Sequence, residues 1–253
     1  MRVLDLFSGI GGFSLGLERA GMQTVAFCEI EPYCRAVLRK HWPHVPIYED
    51  IRELTADRLH TDGIAVDVIC GGFPCQDISV AGRGAGIEGS RSGLWSEYAR
   101  LIGELRPRYA IVENVAALLN RGLDRVLGDL AEIGYDAEWH CIPASAVGAP
   151  HRRDRVWVIA YAGSKQHEGR CTSFGRAPTE ELSGADQVQH AAHYAAIGEG
   201  IRRGESAWFW RAEPAVRRVA HGVRNRVDRL RSLGNAVVPQ IPEIIGKAIM
   251  GIR

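Results

Sequence analysis

The stretch Arg2-Val3-Leu4-Asp5-Leu6-Phe7-Ser8-Gly9-Ile10-Gly11-Gly12 decides the fold. Its first half is a short apolar strand and its second a glycine-rich turn. Helical spacing follows from Phe13 to Ala20, with Gly21 placed to close the helix. Strand, glycine turn and helix together open a nucleotide-binding βαβ unit. The glycines let backbone approach a ligand, and the helix start offers free N–H groups. The next apolar run, Thr24 to Cys28, ends in Glu29, 18 positions after Gly11. A carboxylate there can accept from both hydroxyls of a ribose. Pro32 starts a helix that runs to about His41, and Trp42-Pro43 breaks it. Ile47 to Ile51 reads as a third strand, with Asp50 near its end as an acceptor for an adenine amino group. The class is α/β.

A second stretch, Gly71-Gly72-Phe73-Pro74-Cys75-Gln76-Asp77-Ile78-Ser79, follows the apolar run Val66 to Cys70. The two glycines and Pro74 are expected to end that strand. Cys75 would then stand at the carboxyl end of a strand, where open α/β sheets bind ligands. The bland alternative is a small buried hydrophobe, the commoner role of a lone cysteine. A Gly-rich loop, Val80 to Gly93, comes next, and the stretch Gln76 to Gly93 is expected to act as a lid. Leu94 to Leu105 reads as a helix, and Arg108 to Val112 as a strand ending in Glu113-Asn114-Val115. Neighbouring strands lie about 4.8 Å apart, so a thiol and a carboxyl could face one substrate. A helix over Leu123 to Ile133 and a strand over Asp136 to Ile142 lead to His151-Arg152-Arg153-Asp154-Arg155 and a strand over Val156 to Ala160. On an extended chain Arg153 and Arg155 point the same way.

The 253 residues are 46% hydrophobic and 24% charged, an ordinary globular balance. No apolar run approaches a membrane span and the N-terminus enters a strand directly, so a cytoplasmic protein is expected. Six cysteines without a Cys-x-x-Cys pair argue against a disulfide framework and a zinc ribbon, and no metal site is expected. The net charge of +1 hides an asymmetry. Residues 1–150 carry 14 Lys+Arg against 20 Asp+Glu; residues 151–253 carry 17 against 10. Arginines are densest from Arg211 to Arg231, beside Trp208-Phe209-Trp210. That pattern suits a polyanion, and a solvated basic face equally. Were the polyanion a nucleic acid, the arginines, Arg217 and Arg218 among them, would grip its phosphate backbone, and the irregular segment Gly163 to Ser206 would read bases. Leu233-Gly234-Asn235-Ala236-Val237-Val238-Pro239 then precedes an apolar helix, Ile241 to Met250.

Taken together, these residues resemble the cytosine-5 DNA methyltransferases over the whole chain except roughly 162–206. Asp5 to Gly12 is similar to that family's first motif and Gly72 to Gln76 to its catalytic motif. Glu113 to Val115, His151 to Arg155 and Leu233 to Pro239 follow in the family's order. The resemblance implies a Rossmann-like core with a mostly parallel seven-stranded sheet. It implies a catalytic and cofactor domain over 1–161, a small recognition lobe over 162–231, and a returning segment over 232–253. S-adenosylmethionine is the implied cofactor. Phe7, Gly9, Ile10 and Gly12 would line it, with Leu94. Glu29 would hold the ribose, Asp50 and Ile51 the adenine, and Asn235 with Ala236 the methionine end. Ile30 departs from the pattern, standing where many members carry an aromatic.

In the implied reaction Cys75 adds to carbon 6 of a cytosine flipped out of double-stranded DNA, and Glu113 donates to ring nitrogen 3. Arg155 and Arg153 hold the ring oxygen, the acid or the flanking phosphate. A transfer-RNA substrate, a non-catalytic nucleic-acid-binding relative and a Rossmann oxidoreductase are the alternatives. The presence of Cys75, Glu113 and Arg155 speaks against the second, and the lack of a nicotinamide fingerprint against the third. A monomer is expected, although the short recognition lobe leaves room for a partner chain.

Overall fold

The computed structural model describes residues 1–74, 93–162 and 226–251, leaving out the side chain of Arg226. Cys75, the lid loop to residue 92, Arg217, Arg218 and the segment 163–206 lie outside the described residues.

Seven strands form one sheet: β1 (Arg2–Leu6), β2 (Gln23–Cys28), β3 (Ile47–Tyr48), β4 (Val68–Gly72), β5 (Tyr109–Val115), β6 (Tyr135–Pro143) and β7 (Asp154–Ala162). Their order is β3-β2-β1-β4-β5-β7-β6. Only β7 runs against its neighbours; β1 to β5 pair in parallel. The mostly parallel sheet expected from the resemblance is therefore present. The chain steps outward from β1 to β3, then returns to lay β4 on the other side of β1. That reversal opens a crevice at the carboxyl ends of β1 and β4.

The strands read as unbroken apolar runs because the sheet is covered on both faces. Val3, Val68, Cys70, Ile111, Trp157 and Ile159 pack on one face with α1 (Gly12–Arg19) and the last helix. Leu4, Leu6, Ile69, Ala110, Val112, Val156 and Val158 face the other way, among residues of α3 (Ala56–Thr61), α4 (Leu94–Leu105) and α5 (Leu123–Glu132). Between β2 and β3 runs α2 (Pro32–His41), with Pro32 at its start. Two helices, α6 (Arg226–Asn235) and α7 (Gln240–Met250), complete the described chain.

Several boundaries differ from the sequence reading. The third strand stops at Tyr48 rather than Ile51. Asp50 accepts from the backbone N–H of Arg52 at 3.0 Å, a local turn that competes with strand pairing. Gly71 and Gly72 do not end β4; they are its last two paired residues. Their lack of a side chain serves close approach instead. A Cβ on Gly71 would lie 2.3 Å from the carbonyl oxygen of Leu6, and one on Gly72 would lie 2.6 Å from a carboxylate oxygen of Glu113. On the far side, α7 lies against α1 through Gly16, where a Cβ would meet the Pro239 carbonyl at 2.2 Å, and Gly246, where it would meet the Ala20 methyl at 2.7 Å.

The last helix before the motif Leu233 to Pro239 was not legible as one. Its start at Arg226 crosses the boundary expected at 231/232. Asp228, Arg231, Ser232 and Asn235 are spaced i, i+3, i+4, i+7, a helical face whose stripe is polar rather than apolar.

Candidate active site

A cavity of about 270 Å³ sits at the carboxyl ends of the parallel strands. Of the residues expected there from sequence, Phe7, Gly9, Glu29, Ile30, Glu113, Arg153, Arg155 and Asn235 line it. They come from the ends of β1, β2 and β5, the start of β7 and the end of α6. Gly72, Phe73 and Pro74 line it too, carrying the chain toward Cys75.

The catalytic end is set by register. Glu113 pairs with Gly72 on one side and Trp157 on the other, while Arg155 stands opposite Val115. Val115 lies two residues beyond Glu113, so Glu113 and Arg155 share a face as diagonal neighbours. Arg155 Nε donates to Glu113 Oε1 at 2.9 Å. Burial pushes the Glu113 carboxyl up from its ordinary value; the positive charges of Arg155 and Arg153 and the bond from Arg155 oppose this. A carboxyl so placed keeps its proton to higher pH than an exposed glutamate and can deliver it to a bound base. The next residue, Asn114, donates from Nδ2 to the carbonyl of Phe73 at 3.2 Å, and its own Oδ1 accepts from Val115 N at 2.8 Å. β5 thereby fixes the segment entering Cys75.

The other end is built on Glu29. It is buried to 7% exposure, and its two oxygens accept from Gly9 N at 2.6 Å and Glu31 N at 2.8 Å. Burial raises its carboxyl, and the bonds from Glu31 and Gly9 pull it back. Glu29 thus ties the glycine turn to the end of β2 while lining the cavity. Gly9 has φ of +54°, and a Cβ there would meet nothing within 4 Å. Phe7 has φ of +51°, a region unusual for a non-glycine residue. Its ring meets Tyr98 edge-on at 6.3 Å; Tyr98 meets Trp95 at 5.6 Å, and Trp95 meets Phe73 at 5.4 Å. Ile30, 58% exposed, presents an apolar surface beside them.

Arg153 corrects the idea that two alternating arginines point one way. Its φ of +42° breaks the extended chain, and β7 begins only at Asp154. Its guanidinium turns to the carbonyls of Gly234 and Ala236, at 2.7 and 2.9 Å.

Ile10, Gly12, Asp50, Ile51, Leu94 and Ala236 are not among the lining residues. A Cβ on Gly12 would lie 2.6 Å from the carbonyl of Val237, so Gly12 admits the returning segment. Asp50 is engaged by the guanidinium of Arg52, which draws its carboxyl below the ordinary range. Ile51 is buried, and its carbonyl accepts from Arg100 at 3.0 Å. Leu94 begins α4 and packs on the core, and the carbonyl of Ala236 is taken by Arg153.

Sequence reasoning missed Tyr33 and Cys34 on α2 and Asp228, Arg231 and Ser232 on α6. Arg231, counted among arginines for a phosphate backbone, pairs instead with Glu31 at 2.9 Å. Cys34 Sγ and Ser232 Oγ are 3.4 Å apart. The polar stripe on α6 was the available signal.

Asp5 supports the turn from beneath. It is fully buried, and Oδ2 accepts from Ser14 Oγ at 2.7 Å and from Ser14 N at 3.3 Å, fastening α1 to β1. Burial pushes its carboxyl up to about 8, against the pull of the Ser14 bonds. The folded protein therefore holds this proton where the unfolded chain has released it. Stability from this group is full in acid and falls by about 1.4 kcal/mol per pH unit as pH rises toward the folded value. Asp5→Asn, which keeps an acceptor for Ser14, should flatten that fall. Urea melts of both proteins at pH 5, 7 and 9 check this; a constant difference between them across pH would refute it.

The family model for C-5 cytosine-specific DNA methylases matches residues 1–197. Among curated proteins, the type II methyltransferase M2.BsuMI of Bacillus subtilis is 41% identical over 168 residues, 63% of this chain and 42% of that protein. The type II methyltransferase M.Eco47II of Escherichia coli is 36% identical over 164 residues, 62% of this chain and 39% of that protein. The chain thus spans about two fifths of the length of these relatives. Among solved structures, a prophage-encoded DNA modification methyltransferase from E. coli superposes with a TM-score of 0.65 at 18% identity, over 100% of this chain and 99% of that one. The Dnmt2 methyltransferase of S. pombe gives 0.63 at 16% identity, over 99% and 98%. At these identities the two structures speak for the fold.

Proposed function

The chain belongs to the C-5 cytosine-specific DNA methylases, and on that premise we propose that it methylates carbon 5 of a cytosine flipped out of double-stranded DNA, with S-adenosylmethionine as methyl donor. One observation carries the reading: a buried carboxyl paired with an arginine at one end of a cavity whose other end presents a buried carboxylate and an exposed isoleucine. The lining fits the cofactor chemically. Glu29 keeps lone pairs for ribose hydroxyls after its two backbone bonds, and Ile30 offers an apolar face to a purine. Open space at Gly9 admits a ligand against backbone, and the amide of Asn235 reaches the amino-acid end. S-adenosylmethionine supplies an electrophilic methyl group when bound.

The chain's own residues prepare the base. The thiolate of Cys75 adds to carbon 6, and the displaced electron pair moves toward ring nitrogen 3. Glu113 delivers its proton there, and Arg155 holds the carboxylate left behind. Carbon 5, now enamine-like, takes the methyl group. Loss of its proton to a base, return of the nitrogen 3 proton to Glu113 and departure of the cysteine restore the ring. A stacked cytosine cannot reach this cavity, so flipping is part of the proposal. The division into a core over 1–161, a recognition lobe and a returning segment is proposed with it. DNA is favoured over transfer RNA by the description of the matching family.

Incubation with tritiated S-adenosylmethionine and either duplex DNA or transfer RNA tests the reading, with bisulfite sequencing to locate the product. Label in DNA at cytosine is expected; label in RNA alone would overturn the substrate. Glu29→Gln should weaken S-adenosylmethionine binding by about 1–3 kcal/mol, the scale of a lost charged partner. Calorimetry on the folded variant checks it, and unchanged affinity would remove Glu29 from the ribose.

A further inference from the structure

We infer that Arg153 is a positioning residue, which sets the end of α6 carrying Asn235 at the cofactor end of the cavity and does not grip the substrate. The inference rests on the reading above only for the identity of the ligand. Its Nη1 and Nη2 donate to the carbonyls on either side of Asn235, at 2.7 and 2.9 Å. Both carbonyls lie at the C-terminal end of α6, where helix geometry leaves acceptors without partners and where a positive charge is favoured. Two charge-assisted bonds from one planar fork fix direction as well as distance.

The surrounding ties leave this job to Arg153. Farther up α6, Arg231 and Glu31 form a pair exposed on both sides, and such pairs hold weakly. Ser232 meets Cys34 through a weak thiol contact. Farther on, Val237 and Pro239 press into the gaps left by Gly12 and Gly16. Residues 234–236, the end of α6 and the residue after it, span the interval between these two anchorages. The backbone supports the same reading. Positive φ at Arg153 sends its side chain to the end of α6, while Arg155, two residues on, goes to Glu113. Such strain persists only where the surroundings over-determine it. Arg153 lines the cavity together with Glu113, and its charge draws the Glu113 carboxyl downward.

Three variants test this: Arg153→Ala, Arg153→Lys and Arg155→Ala. The readouts are calorimetric binding of S-adenosylmethionine and hydrogen exchange over residues 233–239. Arg153→Ala should weaken binding on the order of 10- to 100-fold, the scale of one charged hydrogen bond, since the ligand feels the loss only through Asn235. Exchange should rise over 233–239 and stay unchanged in β4 and β5. Arg153→Lys should fall between, because a lysine lacks the planar fork. Arg155→Ala should leave both readouts within about twofold of wild type. Wild-type binding and exchange in Arg153→Ala would overturn the inference, as would equal loosening of 233–239 by Arg155→Ala. If Arg153→Ala unfolds, the lysine variant decides: raised exchange confined to 233–239 supports the role, and wild-type exchange overturns it. A wild-type protein that binds no S-adenosylmethionine would overturn the functional reading alone, since the exchange map needs no ligand.

Discussion

Cys75→Ser is expected to abolish methyl transfer to DNA, by several orders of magnitude, while S-adenosylmethionine binding and the melting temperature stay close to wild type. The size follows from the chemistry of the two side chains. A thiol is partly ionised near neutrality and its sulfur is strongly nucleophilic, whereas a serine hydroxyl is almost wholly un-ionised and a weak nucleophile. Losing the nucleophile of a covalent mechanism removes the intermediate and everything after it. The structure supports a fixed approach to this position. Phe73 packs on Trp95 and its carbonyl is held by Asn114, and Pro74 fixes its own φ next to Cys75. A duplex carrying 5-fluorocytosine should trap wild-type protein covalently, because fluorine at carbon 5 cannot leave as a proton does. Labelled-methyl transfer by Cys75→Ser at the wild-type rate, or a fluorocytosine adduct formed by the serine variant, would exclude the cysteine.

How far the site was legible from sequence depends on what kind of signal each residue left. The glycine turn after Leu6 and the acid after Cys28 were legible because strand, turn and helix change period within a few residues. Both appear where expected, at the ends of β1 and β2. The strand carrying Glu113 was legible from its apolar run. Its continuation to Val115 was not, because the sequence turns polar while pairing with β7 goes on. Gly71 and Gly72 show the limit of local reasoning. A Gly-Gly pair signals a turn, yet here each glycine admits an atom from a neighbouring strand that no local window contains. The same holds for Gly12, which admits a carbonyl more than two hundred residues along the chain. The partners of Asp50 and Arg153, Arg52 and the end of α6, were not legible, because periodicity does not reveal them.

Glu113→Gln should lower turnover by about 10²–10⁴ and leave S-adenosylmethionine affinity within about twofold. The amide keeps the shape and still accepts from Arg155 Nε, so the geometry at 2.9 Å has no reason to collapse. What is lost is the proton delivered to the ring as the thiolate adds. The pH dependence separates this role from a structural one. Burial raises the Glu113 carboxyl above its ordinary value, with Arg155 and Arg153 opposing, so the protonated acid persists to higher pH than in an exposed glutamate. Turnover that needs this acid falls as pH climbs past the raised value, which gives the wild-type profile an alkaline limb. The same shift bears on stability with a definite sign. The folded state favours the protonated form, so this group's contribution is greatest in acid and is lost as pH rises through the folded value. In Glu113→Gln that limb should be absent, and the residual rate should follow ionisation of the cysteine thiol, rising with pH where wild type declines. Measuring single-turnover methylation with both proteins, from the ordinary glutamate range upward over every pH at which they stay folded, decides it. If the glutamine variant keeps the wild-type alkaline limb, the limb belongs to another group, and Glu113 holds Arg155 in place without supplying the proton.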